Sequence, residues 1–260
     1  MKRIWIHIGE ALLLAAVTAL LIYLDIGARK VRSEMTCTGI AIEISDQHGV
    51  AFVSKSDIES FVERGWGKWA GKNISALNLG EIEALLDGKG AIKKSEAYIT
   101  ADGMLHIMVT QRVPKVRFMT AKGGYYADEE GIIFPLQKNY TSRVPIIDGN
   151  VPLSVSSDHI GAPTNAKEQK WLEGILSLTD KIQQDKDWKE AVAQIHVDSK
   201  GQLVLVPRAG EEKFILGRPD DLEKKFGKIR TYYRYIVPEK GEGYYSTVNV
   251  AYDGQIICRK

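Results

Sequence analysis

Cysteine is almost absent: the 260 residues hold two, Cys37 and Cys258. Two thiols cannot make a disulfide framework, and their spacing fits no zinc pattern. Pairing would need the two Cα atoms within about 7 Å, so both read as free thiols. An excess of one charge is missing as well. The 35 basic and 33 acidic residues leave a net charge of +2, without the concentrated basic face of a nucleic-acid binder. There is no internal repeat and no low-complexity tract. There is also no GxSxG, no HExxH, no phosphate-cradling glycine loop and no CxxC. Together these absences exclude the common enzyme and nucleic-acid classes. The expectation is a chain that is no enzyme, with no cofactor, no metal and no small-molecule substrate.

The residues that could carry chemistry have plainer roles. Of the five histidines, His7 falls in an apolar segment, His48 in a turn, and His106 and His196 in strands. His159 sits in a polar loop beside Asp158, with Ser154, Ser156 and Ser157 near. Residues so close in one loop rarely hold the locked geometry of a nucleophilic triad. Asp128-Glu129-Glu130-Gly131 reads as a tight hairpin turn and not as a metal loop. The pair Asp220-Asp221 reads as helix capping.

What is present begins with one long apolar run. Ala11 to Leu24 carries no charge. Ile4, Trp5, Ile6 and Ile8 extend it backwards past His7 and Glu10, to the length of about 20 residues that a membrane span needs. Trp5 and Tyr23 suit the two interfaces, but Lys2 and Arg3 before the run and Arg29, Lys30 and Arg32 after it leave the orientation open. A cleaved signal peptide competes, with Gly27-Ala28 as its site; Asp25 and Arg29-Lys30 lie too close and the run is long. A buried core helix would need another element wrapped around it. The expectation is an uncleaved transmembrane helix over 4–26. A short cytoplasmic tail, 1–10, leads into it, and the working part lies beyond the membrane. Glu10 is costly in hydrocarbon and belongs near headgroups or a partner helix.

After the apolar run come two modules. Gly39 to Ile44 reads as a strand with Ile40, Ile42 and Ile44 on one face. Asp46 to Gly49 is a turn and Phe52-Val53 a short extended piece. Ser54 or Ser56 caps a helix that buries Ile58, Phe61 and Val62 and ends at Gly65. Asn78 starts a second helix with Ile82, Leu85 and Leu86 inward. Ala97 to Thr100 and Met104 to Thr110 form a hairpin around Ala101-Asp102-Gly103. Pro114 stiffens a junction, which sets modules of 37–112 and 113–260. The second is strand-rich, with short strands between Val116 and Phe134. A helix from Ala166 to about Gln184 carries Trp171, Ile175, Leu178 and Ile182 on one face. Another follows Pro219, with a stripe of Leu222, Phe226, Ile229, Tyr233 and Ile236 and with Tyr232 and Tyr235 outside. Thr247 to Tyr252, an Asp253-Gly254 turn and Gln255 to Cys258 close the chain. The fold class is α+β: a β-α-α-β-β module, then a mixed or antiparallel sheet with flanking helices.

These elements resemble a known family. The order from Gly39 to Arg112 is similar to a POTRA domain behind a membrane anchor. The runs Val53 to Ile58, Gly71 to Ile74 and Leu105 to Pro114 resemble the bacterial cell-division protein family FtsQ (DivIB in other lineages). So do the hairpin Tyr126 to Phe134, Val144 to Gly149, Leu216-Gly217-Arg218 and Val248 to Gln255. Gln111 departs from the pattern, which has an acid there, and VNVAY replaces a more acidic closing strand. The resemblance implies a non-enzymatic scaffold of the septal division complex in the inner membrane, with periplasmic or other extracytoplasmic domains. It implies recruitment of coiled-coil partners of the FtsB/DivIC and FtsL kinds, by addition of a partner strand to an exposed sheet edge. The positions it marks are Arg218, Tyr244, Tyr245, Val248, Val250 and Tyr252, not all of them contacts, since one strand face must be core. An uncovered, tyrosine-rich final strand is a liability unless something pairs with it. Two other readings compete: a POTRA-bearing envelope assembly or secretion factor, and a membrane-anchored hydrolase built on His159.

Overall fold

The structure, a computed structural model, describes residues 2–45 and 49–260; the side chains of 2–12 and 29–33 lie outside the described residues. So does the turn expected at Asp46-Gln47-His48. Helix α1 runs from Lys2 to Glu34. Its leucines and isoleucines from Leu13 to Ile26 stand exposed. Among the described residues no helix is long and apolar enough to cross a membrane; the expected span, 4–26, begins on side chains that are not described.

The chain divides into two compact units, residues 1–45 with 53–110, and 46–52 with 111–260. In the first, strand β1 (Gly39–Ser45) is followed by helices α2 (Lys55–Gly65) and α3 (Leu79–Asp87) and by strands β2 (Ile92–Ile99) and β3 (Met104–Gln111). The sheet order is β1-β3-β2, with β1 parallel to β3. Local chemistry sets the helix starts. The Ser54 hydroxyl accepts from the Asp57 amide at 3.2 Å, and the Asp57 carboxylate accepts from the Ser54 amide at 2.9 Å, a reciprocal cap. Those hydrogen bonds from Ser54 hold the Asp57 carboxyl below its ordinary range. Asn78 caps α3 through the Glu81 amide. Ile58, Val62, Ile82 and Leu86 then close over Leu105, Ile107 and Val109. Phe61 is only partly buried at the edge of that core.

The second unit is one mixed sheet. Its strands are β4 (Pro114–Thr120), β5 (Gly123–Asp128), β6 (Ile133–Pro135), β7 (Ile146–Gly149), β8 (Val192–Val197), β9 (Leu203–Pro207), β10 (Lys213–Gly217), β11 (Thr247–Asn249) and β12 (Ile257–Arg259). The order across the sheet is β12-β11-β10-β9-β8-β7-β4-β5-β6. Helices α4 (Ala166–Gln184), α5 (Leu222–Thr231) and α6 (Val237–Lys240) belong to this unit. Asn165 caps α4 by accepting from the amides of Lys167 and Glu168, and its own amide group donates to the Glu168 carboxylate at 2.7 Å. Leu172, Ile175, Leu178 and Ile182 of α4 join Phe226 and Ile229 of α5 in one core with Phe118, Ile147, Ile195 and Phe214. Gly174 lets α4 approach α5's entry closely, since a Cβ there would lie 2.7 Å from Pro219 Cγ.

Two details depart from the sequence reading. Phe52, expected in the first module, packs in the second unit against Tyr126, Phe134 and Tyr140 at ring separations of 5.4–6.0 Å. Gln111 secures that segment. Its carbonyl oxygen accepts from the Phe52 amide at 2.8 Å, and its amide nitrogen donates to the Val50 carbonyl at 2.8 Å. One donor and one acceptor are both required, which a carboxylate cannot supply; this accounts for glutamine at a position where the family pattern has an acid. Gln111→Glu is therefore expected to cost about 1–3 kcal/mol, seen as a lower urea midpoint with an unchanged slope.

The second departure is in α5. Tyr232 is buried and Tyr233 partly exposed, the reverse of the expected stripe. The inward face is rotated towards Lys225, which is buried and donates to the Arg218 carbonyl at 2.8 Å and to the Asp220 carboxylate. A sequence reading excludes lysine from a core; here two fixed acceptors make it tolerable. Beyond α5 the chain forms a π-helical turn over Tyr232–Ile236, which widens the spacing and brings Tyr233 within 6.1 Å of Trp188.

Candidate functional site: the border of the second sheet

A sheet has two borders, each with backbone groups that face no strand. At β6 the border is closed. Ile133 and Gly161 exchange two backbone hydrogen bonds of 2.8 and 3.0 Å, and Pro135 has no N–H to offer. At the other end β12 pairs with β11 alone, in antiparallel register Thr247↔Arg259, Val248↔Cys258 and Asn249↔Ile257. The uncovered border is therefore β12 and not the strand before it. The Asp253-Gly254 turn was legible; which of the two strands lies outermost was not, because that depends on β11 running parallel to β10.

This order sorts the six marked positions by burial. Val248 and Val250 are fully buried. The amide of Val250 donates to the Ile215 carbonyl at 3.0 Å. Both valines belong to the core beneath the border, the strand face expected to be core. Tyr245 is partly buried against the same core. Tyr244 and Tyr252 are exposed, at 42% and 52%, and Arg218 is exposed as well. Arg218 and Tyr252 meet in one cleft of about 370 Å³, with Lys200, Lys225 and Asp220. Tyr244 stands apart from that cleft, beside the chain's last residue. The Lys260 ammonium lies 4.1 Å from the Tyr244 ring centre, and the Tyr245 ring meets Tyr244 edge-on at 4.8 Å. The hydrogen bond between Lys260 and Tyr244 lowers the Tyr244 hydroxyl's pKa and raises that of Lys260.

Two features went unseen in the sequence. Ile257 and Arg259 are the border itself. Lys228 of α5 donates to the Val250 carbonyl at 3.0 Å and to the Tyr252 carbonyl, which fixes the descent from β11 into the final turn. Its amphipathic position on α5 was visible, but not the carbonyls it reaches. Cys258 is free and half-buried, and burial pushes its thiol up; Cys37 is free in the first unit's core. The His159 ring bonds the Ala162 carbonyl at 3.1 Å. Among the described residues no group of three or more His, Cys, Asp or Glu could hold a metal ion.

The turn expected at Asp128 is built on that carboxylate. One oxygen accepts from the amides of Glu130 and Ile132 at 2.9 and 2.8 Å, and the other receives the Arg112 guanidinium at 2.6 Å. Gly131, at φ +76°, supplies the left-handed residue the turn requires. Arg112 and Asp128 thus hold each other.

Fold and border together give a small β-α-α-β-β module followed in the chain by a sheet with one open side. A POTRA-like domain matches residues 35–110. The FtsQ/DivIB, C-terminal related family matches residues 113–259, more than half of the chain, and the chain belongs to that family. No curated protein matches it. Membership places it among non-enzymatic cell-division proteins, whose partners are other proteins of the divisome.

Proposed function

We propose that this protein is a membrane-anchored divisome scaffold that recruits an FtsB/DivIC-type coiled-coil partner, and FtsL through it, by accepting a partner strand on β12. The observation that carries the reading is the inequality of the two sheet borders: β6 is closed by Gly161 and Pro135, and β12 is paired on one side only. Strand addition draws affinity from backbone hydrogen bonds and specificity from neighbouring side chains. Here those neighbours are Tyr252 and Arg218 in their shared cleft, and Tyr244 at the far end. Arg218 pairs with a partner carboxylate. Val248, Val250 and Tyr245 hold β11 in place from beneath. The anchor is α1, whose uncharged run Ala11 to Leu24 and exposed apolar side chains suit lipid on all sides. The N-terminus is cytoplasmic, and both folded units lie outside the cytoplasm at the septum.

Capture of the purified coiled-coil partner tests this. Arg218→Glu sets a like charge against the partner's acid and is expected to weaken capture about tenfold or more. The unfolding midpoint should not move, because Arg218 is exposed. Hydrogen exchange should slow at 257–259 when the partner binds. Equal capture by wild type and Arg218→Glu, with no added protection at 257–259, removes the interface. A fluorescently tagged chain that fails to form a midcell band removes the division role altogether.

A further inference from the structure

A second cleft lies away from β12, where β7 and β8 part. Their ladder begins only at Ile147↔Ile195. Before that point Pro145 precedes β7, and a register shift interrupts β8 between Val192 and Gln194. The opening left between the strands encloses about 740 Å³. Ile146, Val192 and Ile182 give it apolar walls, and Arg143, Lys189 and Arg208 stand around it, with Glu190 as its one acid. The Arg208 guanidinium is held there by a 3.2 Å bond to the Glu190 carbonyl. Asp148, the nearest acid on β7, is already engaged by Gln194 at 2.5 Å and His196 at 2.8 Å.

We infer that this cleft is a docking site for an acidic, extended segment of a partner protein, separate from the strand site at β12. Three cations against one acid favour carboxylates. Arginine forks bind these in bidentate fashion, and Arg143 and Arg208 both stand at the cleft. The apolar walls need an apolar side chain between the acids. A peptide that alternates the two kinds meets both demands, whereas a free phosphate or polyphosphate brings no apolar part.

The test uses the full chain in detergent micelles and a fluorescein-labelled peptide of alternating Glu and Leu, read by anisotropy. The same peptide with Gln for Glu is the control. The expected result is binding of the Glu peptide that weakens with salt, with the Gln peptide about tenfold weaker or worse. Added hydrogen-exchange protection should fall at 143–146 and 189–194. The double variant Arg143→Glu/Arg208→Glu should lose the Glu peptide while still capturing the coiled-coil partner at β12, which also shows that it is folded. Equal affinity for the Glu and Gln peptides, or undiminished binding by the double variant, overturns the inference. So does binding of vesicles of phosphatidylglycerol through the same residues with no binding of the peptide.

Discussion

Asp128→Ala is expected to lower the stability of the second unit by about 3–5 kcal/mol, the cost of removing one partner of a buried ion pair. The side chains of Arg112 and Asp128 are 11% and 4% exposed, so water can do little to replace the lost charge. Alanine would also strand the amides of Glu130 and Ile132, which share one Asp128 oxygen. The Arg112 guanidinium also lies over the Phe134 ring, whose centre is 5.9 Å away. Asp128→Asn separates the two roles. Its oxygen can keep the turn, but its amide nitrogen then faces a guanidinium that also donates, so most of the ion-pair loss should persist. A double-mutant cycle with Arg112→Ala should give a coupling of about 1–3 kcal/mol. Urea unfolding measures the totals, and hydrogen exchange at 132–134 assigns them to this unit. A loss below about 1 kcal/mol for Asp128→Ala would show that the pair is not what holds the hairpin.

Features fixed within a few residues of chain were the ones legible in advance. Ser54 with Asp57, Asn78 with Glu81, and Asn165 with Glu168 each place a side-chain acceptor beside the first free amides of a helix. That chemistry is complete within one turn, so the sequence alone locates the start. The β-α-α-β-β order followed from such starts and from the Ala101-Asp102-Gly103 turn.

Features set by distant residues were not legible. Nothing near Phe52 says that its ring belongs with Tyr126 and Phe134, because Gln111, 59 residues on, supplies the reason. Nothing in the pattern of α5 says that Lys225 turns inward, because its acceptors are a carbonyl at Arg218 and a carboxylate at Asp220. The same holds for the border. The residues around Val250 lie next to the border, but outermost rank in a sheet is a property of the whole strand order, and it falls to Ile257–Arg259.

Val250→Lys puts that distinction to a direct test. Val250 is fully buried, its amide is bonded to Ile215 and its carbonyl to Lys228. Lysine there would bring an ammonium into a core that includes Phe214, Phe226 and Val248, with Lys228 already close by as a like charge. The cost should exceed about 4 kcal/mol, the range reserved for unpaired charges in a core. For a unit of this size that corresponds to a melting temperature lower by about 8–16 °C. Partner capture would be lost with the fold, and hydrogen exchange at β10 and β11 would speed up in parallel. Val250→Ala, in contrast, removes only buried methyl groups. It should cost about 2 kcal/mol and leave capture intact, because Arg218, Tyr252 and the β12 backbone remain. A contact residue would show the opposite pattern: Val250→Ala would lose capture at native stability. That outcome would mean that β12 yields its place to the partner and that β11 is the strand the partner meets.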